Sequence, residues 1–492
     1  MSHDANEIRR IGHLVVDLIA DHLSSLRYEP VFRPVPSELA ERVISTPVPV
    51  DGATPDEILR EFRDTIEPYP FGNGHPRFWG WVNSPPAVMG VFADALAAAM
   101  NPSCAGGNHA AIYVEREVIH WFREMLGFPA SAMGLLVTGG SMATLTALGV
   151  ARHVKSGADV RAAGLRGAPQ PFRLYQSAEG HSCARKAVEL LGFGSDAIRI
   201  VPAMGDYRMD AGALDRAIAE DVAAGMRPIA VVASAGTVNT GAIDPIDEIA
   251  DVCARHDVWL HVDAAYGGPA ILTDEYRAQL APVARADSVA LDPHKWMFVP
   301  VEAGFVLVRD GEAMRAAYSL VPPYIRTRGS SSAVMGLPWF SEYGFQQSRG
   351  FRALKVWMTM KQFGLAGHRA AVEQNVALAR YLADRVRESR DLELVASGLS
   401  VVCFRYAVSE GSEAYEVSEA SEASEASDTL NAVNRQLLER LQLRGEAFLS
   451  STELGGRFVL RACIVNYHST RDDIDRMIDA VLRIGAELSR SE

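Results

Sequence analysis

The sequence predicts an α/β protein built around a mostly parallel β-sheet that is covered by helices. Short apolar runs at 135–138, 173–177, 229–234, 258–262 and 288–291 have the length and composition of strands buried on both faces. Helix-length segments lie between some of them, at 215–225 and 245–256. This alternation is typical of parallel sheets. With 492 residues, 48% of them hydrophobic, the chain has ample apolar material for such a core.

The first 85 residues predict a helical and extended arm. Apolar residues from 8 to 23 recur at three- and four-residue steps, which indicates an amphipathic helix, and a second helix is predicted over 55–65. The Pro-rich stretch 30–49 between them predicts an extended segment. It either packs on its own subunit or clasps a second one.

The large domain is predicted over 86–370, and its last strand, 304–308, is expected to be antiparallel. Helices are predicted at 354–363 and 370–388, and a small α+β domain is predicted over 371–492. It contains strands at 399–406 and 458–465 and a helix from 472. The low-complexity insertion at 408–428 includes a Ser-Glu-Ala repeat. Because that repeat has little apolar surface to bury, it predicts a solvated, mobile segment.

Charge and cysteine content favour a soluble cytoplasmic enzyme that acts on a small molecule. The net charge is −13, and no run of Lys or Arg occurs that would bind nucleic acid or an anionic membrane. The five cysteines are scattered and form no CxxC pair, so neither a metal site nor a disulfide framework is expected. The N-terminus does not have the pattern of a signal peptide, and no apolar run is long enough to span a membrane.

Two predicted strands end in residues with complementary charges. Asp263 closes the apolar run in WLHVDAAYGGPA, and Lys295 follows the run in SVALDPHKW. Because carboxyl ends of parallel strands face the ligand crevice, these side chains are expected to meet there. Pyridoxal phosphate requires such a pair: a lysine for the Schiff base and a carboxylate that keeps the pyridine nitrogen protonated.

Two further segments fit the same cofactor. In LLVTGGSMATLTALGVARHV, a strand leads through Gly139, Gly140 and Ser141 into a helix, whose N-terminus would bind the phosphate. His181, in LYQSAEGHSCARKA, follows another predicted strand, and its imidazole is able to stack on a conjugated ring or to exchange a proton.

Together these segments resemble the group II pyridoxal-phosphate decarboxylases, especially the aromatic-L-amino-acid decarboxylases. The resemblance extends from EIRRIGHLVVDLIADHL to LRACIVN and is most specific in HVDAAY and DPHKW. It implies the aspartate-aminotransferase fold (fold type I) and a homodimer with its active site at the subunit interface.

The resemblance also implies a role for each matching residue. Lys295 would hold the cofactor, and Asp263 would pair with its ring nitrogen. Ala265 and His181 would contact opposite faces of the ring. The other cofactor contacts that it implies are Gly140, Ser141, Thr237, Asp292 and His294. Asp292 stands where animal relatives have Asn near the phosphate, and Val238 replaces a hydroxyl residue of the threonine-rich turn.

Tyr324 matches the loop tyrosine that protonates the substrate carbon after CO2 leaves, which favours simple decarboxylation. The segment HPRFWGWVNSPPAV matches the stretch that lines the substrate pocket and places Trp79, Trp81 and Ser84 there. Ala105, in CAGGNHAA, lies where relatives have a bulky Phe. A roomy pocket between aromatic walls favours tryptophan over tyrosine, phenylalanine or dopa.

Other functions remain open at this stage. A decarboxylase of acidic or diamino acids would need a cation facing the side chain, and His75–Val88 offers only Arg77. An aldehyde synthase is the next alternative. An inactive relative that acts as an interaction protein is disfavoured because Lys295, Asp263, His181 and Tyr324 are all retained.

Overall fold

The structure is a computed structural model that describes residues 4–72, 74–320, 336–407 and 420–490, with only the backbone for 420–427. The chain divides into two compact units. The large unit comprises residues 86–377 and 396–401, and the second unit comprises 1–85, 378–395 and 402–492. Residues 1–85 therefore share a unit with C-terminal residues. The division into three domains, at 1–85, 86–370 and 371–492, stays a prediction.

The helices are numbered in chain order. They are α1 (Ala5–Ser25), α2 (Ser37–Ser45), α3 (Pro55–Glu61), α4 (Val88–Met100), α5 (Ala110–Met125), α6 (Gly140–Lys155), α7 (Val160–Ala163), α8 (Cys183–Leu190), α9 (Ala211–Ala223), α10 (Ile246–His256), α11 (Asp274–Leu280), α12 (Gly311–Tyr318), α13 (Arg352–Glu388), α14 (Ala420–Leu443) and α15 (Arg471–Ser489). Helix α13 is interrupted at Gly364, which has φ 61° and ψ 174°. None of the helices in the described ranges is long and apolar enough to cross a membrane.

The strands are likewise numbered in chain order. They are β1 (Phe78–Trp79), β2 (Met133–Val137), β3 (Phe172–Ser177), β4 (Ile198–Val201), β5 (Arg227–Ser234), β6 (Trp259–Asp263), β7 (Ser288–Leu291), β8 (Gly304–Val308), β9 (Leu392–Gly398), β10 (Val401–Tyr406), β11 (Phe448–Leu454) and β12 (Arg457–Cys463).

The large unit contains a seven-stranded sheet in the order β2-β8-β7-β6-β5-β3-β4. Only β8 runs against its neighbours, β2 and β7, so the sheet is mostly parallel, as predicted. All five predicted strands are present, and β8 is antiparallel as expected. Strand β4 was missed because Arg199 and the exposed Ile200 interrupt its apolar pattern.

The second unit contains a five-stranded sheet in the order β1-β11-β12-β10-β9. Its core combines strand and helix residues that are fully buried, including Trp79, Phe404, Leu437 and Ile478. Helix α15 begins at a capping box in which Thr470 and Asp473 exchange hydrogen bonds with each other's backbone N–H groups.

Two segments differ from their sequence-based predictions. The Pro-rich stretch 30–49 contains helix α2, whose Pro36 precedes a run of good helix formers. Helix α14 begins at Ala420, so the Ser-Glu-Ala repeat is helical from there, because Ala and Glu favour helix and the apolar period continues beyond 428. Residues 408–419 of the predicted insertion lie outside the described residues.

Candidate active site

The carboxyl ends of three neighbouring parallel strands align in the large unit. Asp263, the last residue of β6, pairs in register with Ser234 on β5 and with Ala290 on β7. Strand β7 ends one residue later, and the chain turns through Asp292 to Lys295. The Lys295 Nζ lies 3.0 Å from Asp292 Oδ2. The sheet thus brings the predicted carboxylate and the predicted amine to adjacent strand ends.

Two carboxylates act electrostatically on Lys295. Burial by itself lowers the pKa of this amine, but the charges of Asp292 and Asp263 and the hydrogen bond that Lys295 donates to Asp292 outweigh it, so the pKa is raised. The amine is therefore held protonated beside Asp292. Before it attacks an aldehyde, it must lose that proton, because only the neutral amine is a nucleophile.

Asp263 lies in a small cluster with His181 and Cys183. One carboxylate oxygen, the thiol sulfur and one nitrogen of the imidazole lie within 4.8 Å of one another. The Ala265 backbone N–H donates to Asp263 Oδ1 (3.1 Å), and the Cys183 thiol lies 3.8 Å from Oδ2. These contacts hold the carboxylate in one orientation at the strand end.

His181 is held through its Nδ1 atom, which accepts a hydrogen bond from the Cys183 backbone N–H at 3.1 Å. In the neutral ring the proton is therefore on Nε2. Burial lowers the pKa of His181, although the Asp263 carboxylate opposes that shift, and part of the imidazole surface remains exposed. A neutral ring in this position is suited to stacking on a cofactor.

The Gly-Gly-Ser turn leads into α6 and leaves a narrow cradle at its N-terminus. Gly139 has φ 140°, a conformation that favours glycine. A Cβ at Gly140 would lie 2.9 Å from Asp292 Oδ2 and 3.2 Å from the Ala265 methyl group, so only glycine fits without displacement. Ser141 is exposed in the first turn of the helix. The turn therefore presents backbone N–H groups at a helix N-terminus, as a phosphate site requires.

The remaining sequence-predicted cofactor residues of the large unit are positioned by short hydrogen bonds. His294 Nδ1 lies 2.7 Å from the Ala303 carbonyl oxygen. Thr237 Oγ1 contacts the Thr240 hydroxyl at 3.0 Å and accepts from the Ala242 N–H at 3.0 Å. Thr237 is buried, and its turn follows strand β5.

These residues fit pyridoxal phosphate in their chemistry. An amine and a carboxylate stand at adjacent strand ends, and a glycine cradle lies beside them. Asp292 is the residue that fits least, because its buried Oδ1 has no hydrogen-bond partner among the described residues and adds negative charge beside that cradle. Its other oxygen is paired with Lys295, which offsets this charge.

The predicted substrate residues are distributed over both units. In the second unit, Trp79 is fully buried in the core, where its indole N–H donates to Ser469 at 3.0 Å. Trp81 is 47% exposed and stacks on Phe71. Ser84 is also buried in this unit. These positions give Trp79 a structural role in its own unit and leave Trp81 accessible.

Ala105, in the large unit, is half-buried, and its carbonyl oxygen accepts from the Ser341 N–H at 3.1 Å. A Cβ at the neighbouring Gly106 would come within 2.0 Å of the Trp339 indole, so this glycine lies directly against the ring. The space beside this run of small residues is thus partly filled by an aromatic ring of the same unit.

Tyr324, the predicted proton donor, lies outside the described residues. Sequence reasoning missed the partners behind Asp263, which are Cys183, Thr144 and His261. Thr144 is fully buried, and its Oγ1 lies 3.3 Å from His261 Nε2 and 3.8 Å from Cys183 Sγ. A lone cysteine or threonine gives no spacing signal, so the fold was needed to find them.

Comparison with known proteins identifies the family of this chain. Residues 36–407 match the pyridoxal-dependent decarboxylase conserved domain. The chain belongs to this family, the group II decarboxylases of fold type I, and is a pyridoxal-phosphate-dependent amino acid decarboxylase.

Three relatives show how broad the family is. The chain is 36% identical to an aromatic-L-amino-acid decarboxylase from Bacillus atrophaeus, over 99% of this chain and 97% of the relative. It is 33% identical to an L-2,4-diaminobutyrate decarboxylase from Rhizobium meliloti (strain 1021), over 84% and 79% respectively. The crystal structure of Oryza sativa TDC with PLP and tryptamine superposes with a TM-score of 0.88 at 28% identity, covering 99% of both chains.

Proposed function

We propose that this enzyme decarboxylates an aromatic L-amino acid, with tryptophan favoured, to the aryl-ethylamine and CO2. The observation that carries the catalytic part is the gathering of Asp263, His181 and the Lys295 amine at adjacent strand ends. The aromatic preference is supported by the identity to the Bacillus relative and by the likeness to the Oryza structure that contains tryptamine.

The bound cofactor would supply an electron-accepting ring for the electrons of the broken Cα–carboxylate bond. Lys295 would hold it covalently, and Asp263, oriented by the Ala265 N–H, would keep the ring nitrogen protonated. His181 and Ala265 would contact the two faces of the ring. Gly140, Ser141, Thr237, Asp292 and His294 complete the proposed cofactor contacts.

Tyr324 is proposed to donate the proton that replaces CO2 at Cα. A phenol delivers a proton to carbon when the site is closed to water. Since Tyr324 lies outside the described residues, this role rests on the resemblance of LVPPYIRTRG alone. Trp81, Ser84 and Ala105 remain the proposed substrate contacts on the same ground, whereas the complete burial of Trp79 assigns it to the core of its own unit.

We further propose a cytoplasmic homodimer with its active sites at the subunit interface. The first 85 residues support a dimer because they expose large apolar side chains, including Ile8, Ile44, Val48 and Val50. Helix α1 is amphipathic and has no buried residue in the single chain. Exposed apolar surface of this kind marks a protein interface.

A decarboxylase of acidic substrates is the main rival, and Arg77 is its only cation within His75–Val88. That arginine already has partners in its own unit: Nε donates to the Glu446 carbonyl at 2.8 Å, and Nη1 lies 3.5 Å from Asp473. A guanidinium held in this way is poorly placed to bind a second carboxylate. The diaminobutyrate relative keeps a diamino acid as a candidate substrate.

The test is a substrate panel scored for CO2 and for the organic product. Tryptophan, tyrosine, phenylalanine and dopa are compared with glutamate and 2,4-diaminobutyrate, using the holoenzyme and a Lys295→Ala control. We expect the highest kcat/KM for tryptophan, with the amine as product. A preference for glutamate or diaminobutyrate would overturn the aromatic assignment, and aldehyde with hydrogen peroxide would identify an aldehyde synthase.

A further inference from the structure

A line of buried polar groups ends on the carboxylate that is proposed to face the cofactor ring. Asp263 Oδ1 is occupied by the Ala265 N–H, and Oδ2 has the Cys183 thiol 3.8 Å away. The thiol sulfur also lies 3.8 Å from Thr144 Oγ1. Both Cys183 and Thr144 are almost completely shielded from solvent, so water does not compete for these contacts.

The line continues behind Thr144 into the interior of the sheet. His261 Nε2 lies 3.3 Å from Thr144 Oγ1, and its Nδ1 lies 2.9 Å from Ser288 Oγ. Ser288 accepts a hydrogen bond from the Trp259 indole N–H at 2.8 Å. His261, Ser288 and Trp259 all lie on β6 and β7, which also lead to Asp263 and Lys295.

The chemistry of the two ends indicates one direction for the hydrogen bonds. An indole N–H only donates, and an ionised carboxylate only accepts. The direction that satisfies both ends runs from Trp259 through Ser288, His261 and Thr144 to the Cys183 thiol, which donates to Asp263. In this arrangement His261 is neutral and carries its proton on Nε2.

The protonation states of the intermediate groups agree with this direction. Burial lowers the pKa of His261 to about 4, so its ring is neutral near pH 7. Burial, reinforced by the negative charge of Asp263, raises the pKa of Cys183 to about 12, so the sulfur keeps its proton. Cys183 is therefore a hydrogen-bond donor and not a reactive thiolate.

We propose that Cys183 is a positioning residue for the cofactor: its thiol, oriented by Thr144 and His261, donates the hydrogen bond that keeps the Asp263 carboxylate aimed at the pyridine nitrogen. The inference rests on the proposed role of Asp263. A donor on Oδ2 stabilises the charged carboxylate, and a charged carboxylate in turn keeps the ring nitrogen protonated.

Removal of the thiol is expected to have the opposite effect on Asp263. In Cys183→Ala, Oδ2 loses its donor, so Asp263 becomes a stronger base and is less firmly oriented. Both effects shift the proton that lies between Asp263 and the pyridine nitrogen toward the carboxylate. We expect cofactor affinity to fall about five- to tenfold, since hydrogen bonds to charged groups are among the stronger ones but a thiol is a weak donor.

The experiment measures the ring nitrogen directly. Holoenzyme is prepared with pyridoxal phosphate labelled with 15N in the ring, and the nitrogen chemical shift is recorded with the cofactor dissociation constant. Cys183→Ala and Thr144→Val are expected to move the shift toward that of a neutral pyridine. Cys183→Ser, which keeps a donor, is expected to restore most of it. Cys253→Ala removes another buried thiol, on α10, and should leave the shift unchanged.

The outcomes separate this inference from the proposed function. If Asp263→Asn moves the nitrogen shift and Cys183→Ala does not, Cys183 is not a positioning residue. If Asp263→Asn itself leaves the shift unchanged, the assignment of Asp263 as the ring-nitrogen partner fails. Equal shifts in Cys183→Ala and Cys183→Ser would also overturn the inference, because they would show that the donor is irrelevant.

Discussion

The strand ends of the large unit and the first 85 residues of the second unit differ in whether their side chains find partners within the chain. At the strand ends, the main charged groups pair within the chain, as in the ion pair of the partly buried Lys295 with the buried Asp292. In the N-terminal segment, apolar side chains such as Ile44 and Val48 are each 85% exposed. The strand-end groups therefore find partners within one chain, whereas these apolar side chains of the N-terminal segment do not, which is why we propose a second copy as their partner.

Two buried histidines, His261 and His75, differ in the number of hydrogen-bond partners of their ring nitrogens. Burial lowers the pKa of both His261 and His75 to about 4. In the large unit, both ring nitrogens of His261 have hydroxyl partners. In the second unit, His75 Nδ1 accepts from the Arg77 N–H, but Nε2 has no hydrogen-bond partner among the described residues. His261 is thus paired at both ring nitrogens, whereas His75 is paired at one.

The largest effect is expected from Lys295→Ala, which breaks the strand-end site itself. Loss of the amine removes the covalent attachment, so the yellow Schiff-base absorbance should disappear and kcat should fall by about 10⁴-fold or more. Lys186→Ala is the matched control, because Lys186 is exposed on α8. Turnover that survived in Lys295→Ala would show that the site is elsewhere.

Tyr324→Phe is expected to lower amine formation about 10²- to 10⁴-fold, because the proton donor is lost. Its product should change toward the aldehyde, with consumption of dissolved O2 and release of ammonia and hydrogen peroxide, while cofactor absorbance is unchanged. Product analysis by mass spectrometry checks this. Unaltered amine production would remove Tyr324 from the mechanism.

Trp79→Ala tests whether that residue supports its own unit. Because Trp79 is fully buried in the core and bonded to Ser469, the free energy of unfolding should fall by about 3–5 kcal/mol. Trp81→Ala, at a position that is 47% exposed, should cost much less. Urea unfolding followed by tryptophan fluorescence measures both, and similar losses would contradict the structural assignment of Trp79.

Ile44→Asp combined with Val48→Asp tests the arm. If these side chains are buried against a second copy, each contributes about 1.5–3 kcal/mol, so the dimer dissociation constant should rise about 100-fold or more. Light scattering over a dilution series measures it. Leu190→Asp is the control, since Leu190 is 75% exposed in the large unit. An unchanged dissociation constant would show that Ile44 and Val48 do not lie at the dimer interface.

The smallest effect is expected from Asp292→Asn. Asp292 raises the pKa of Lys295, so its removal lowers that pKa and increases the neutral amine fraction at any pH below it. Schiff-base formation by the apoenzyme should become about three- to tenfold faster near pH 7.5, with its pH profile shifted to lower pH. Stopped-flow absorbance checks this. A slower reaction would mean that Asp292 assists cofactor binding.

The sequence predicted the sheet better than it predicted the site's surroundings. Apolar runs such as Ser288–Leu291 are recognisable because buried parallel strands are apolar on both faces. Helix α4 was not predicted, because VMGVFADALAAAM is apolar around much of its circumference and has weak periodicity. Asp263 and Lys295 were found since both follow strands. Cys183 and His261 were missed because contacts between residues far apart in the sequence leave no local pattern.

Reduction of the holoenzyme with borohydride, followed by peptide mass spectrometry, tests the central claim most directly. The chain has five lysines, which are Lys155, Lys186, Lys295, Lys355 and Lys361. Lys155 and Lys355 are paired with Asp257 and Asp94, and Lys361 lies over two tryptophan rings. We expect the pyridoxyl group on Lys295 alone. A pyridoxyl group on any of the other four lysines, with Lys295 unmodified, would contradict it.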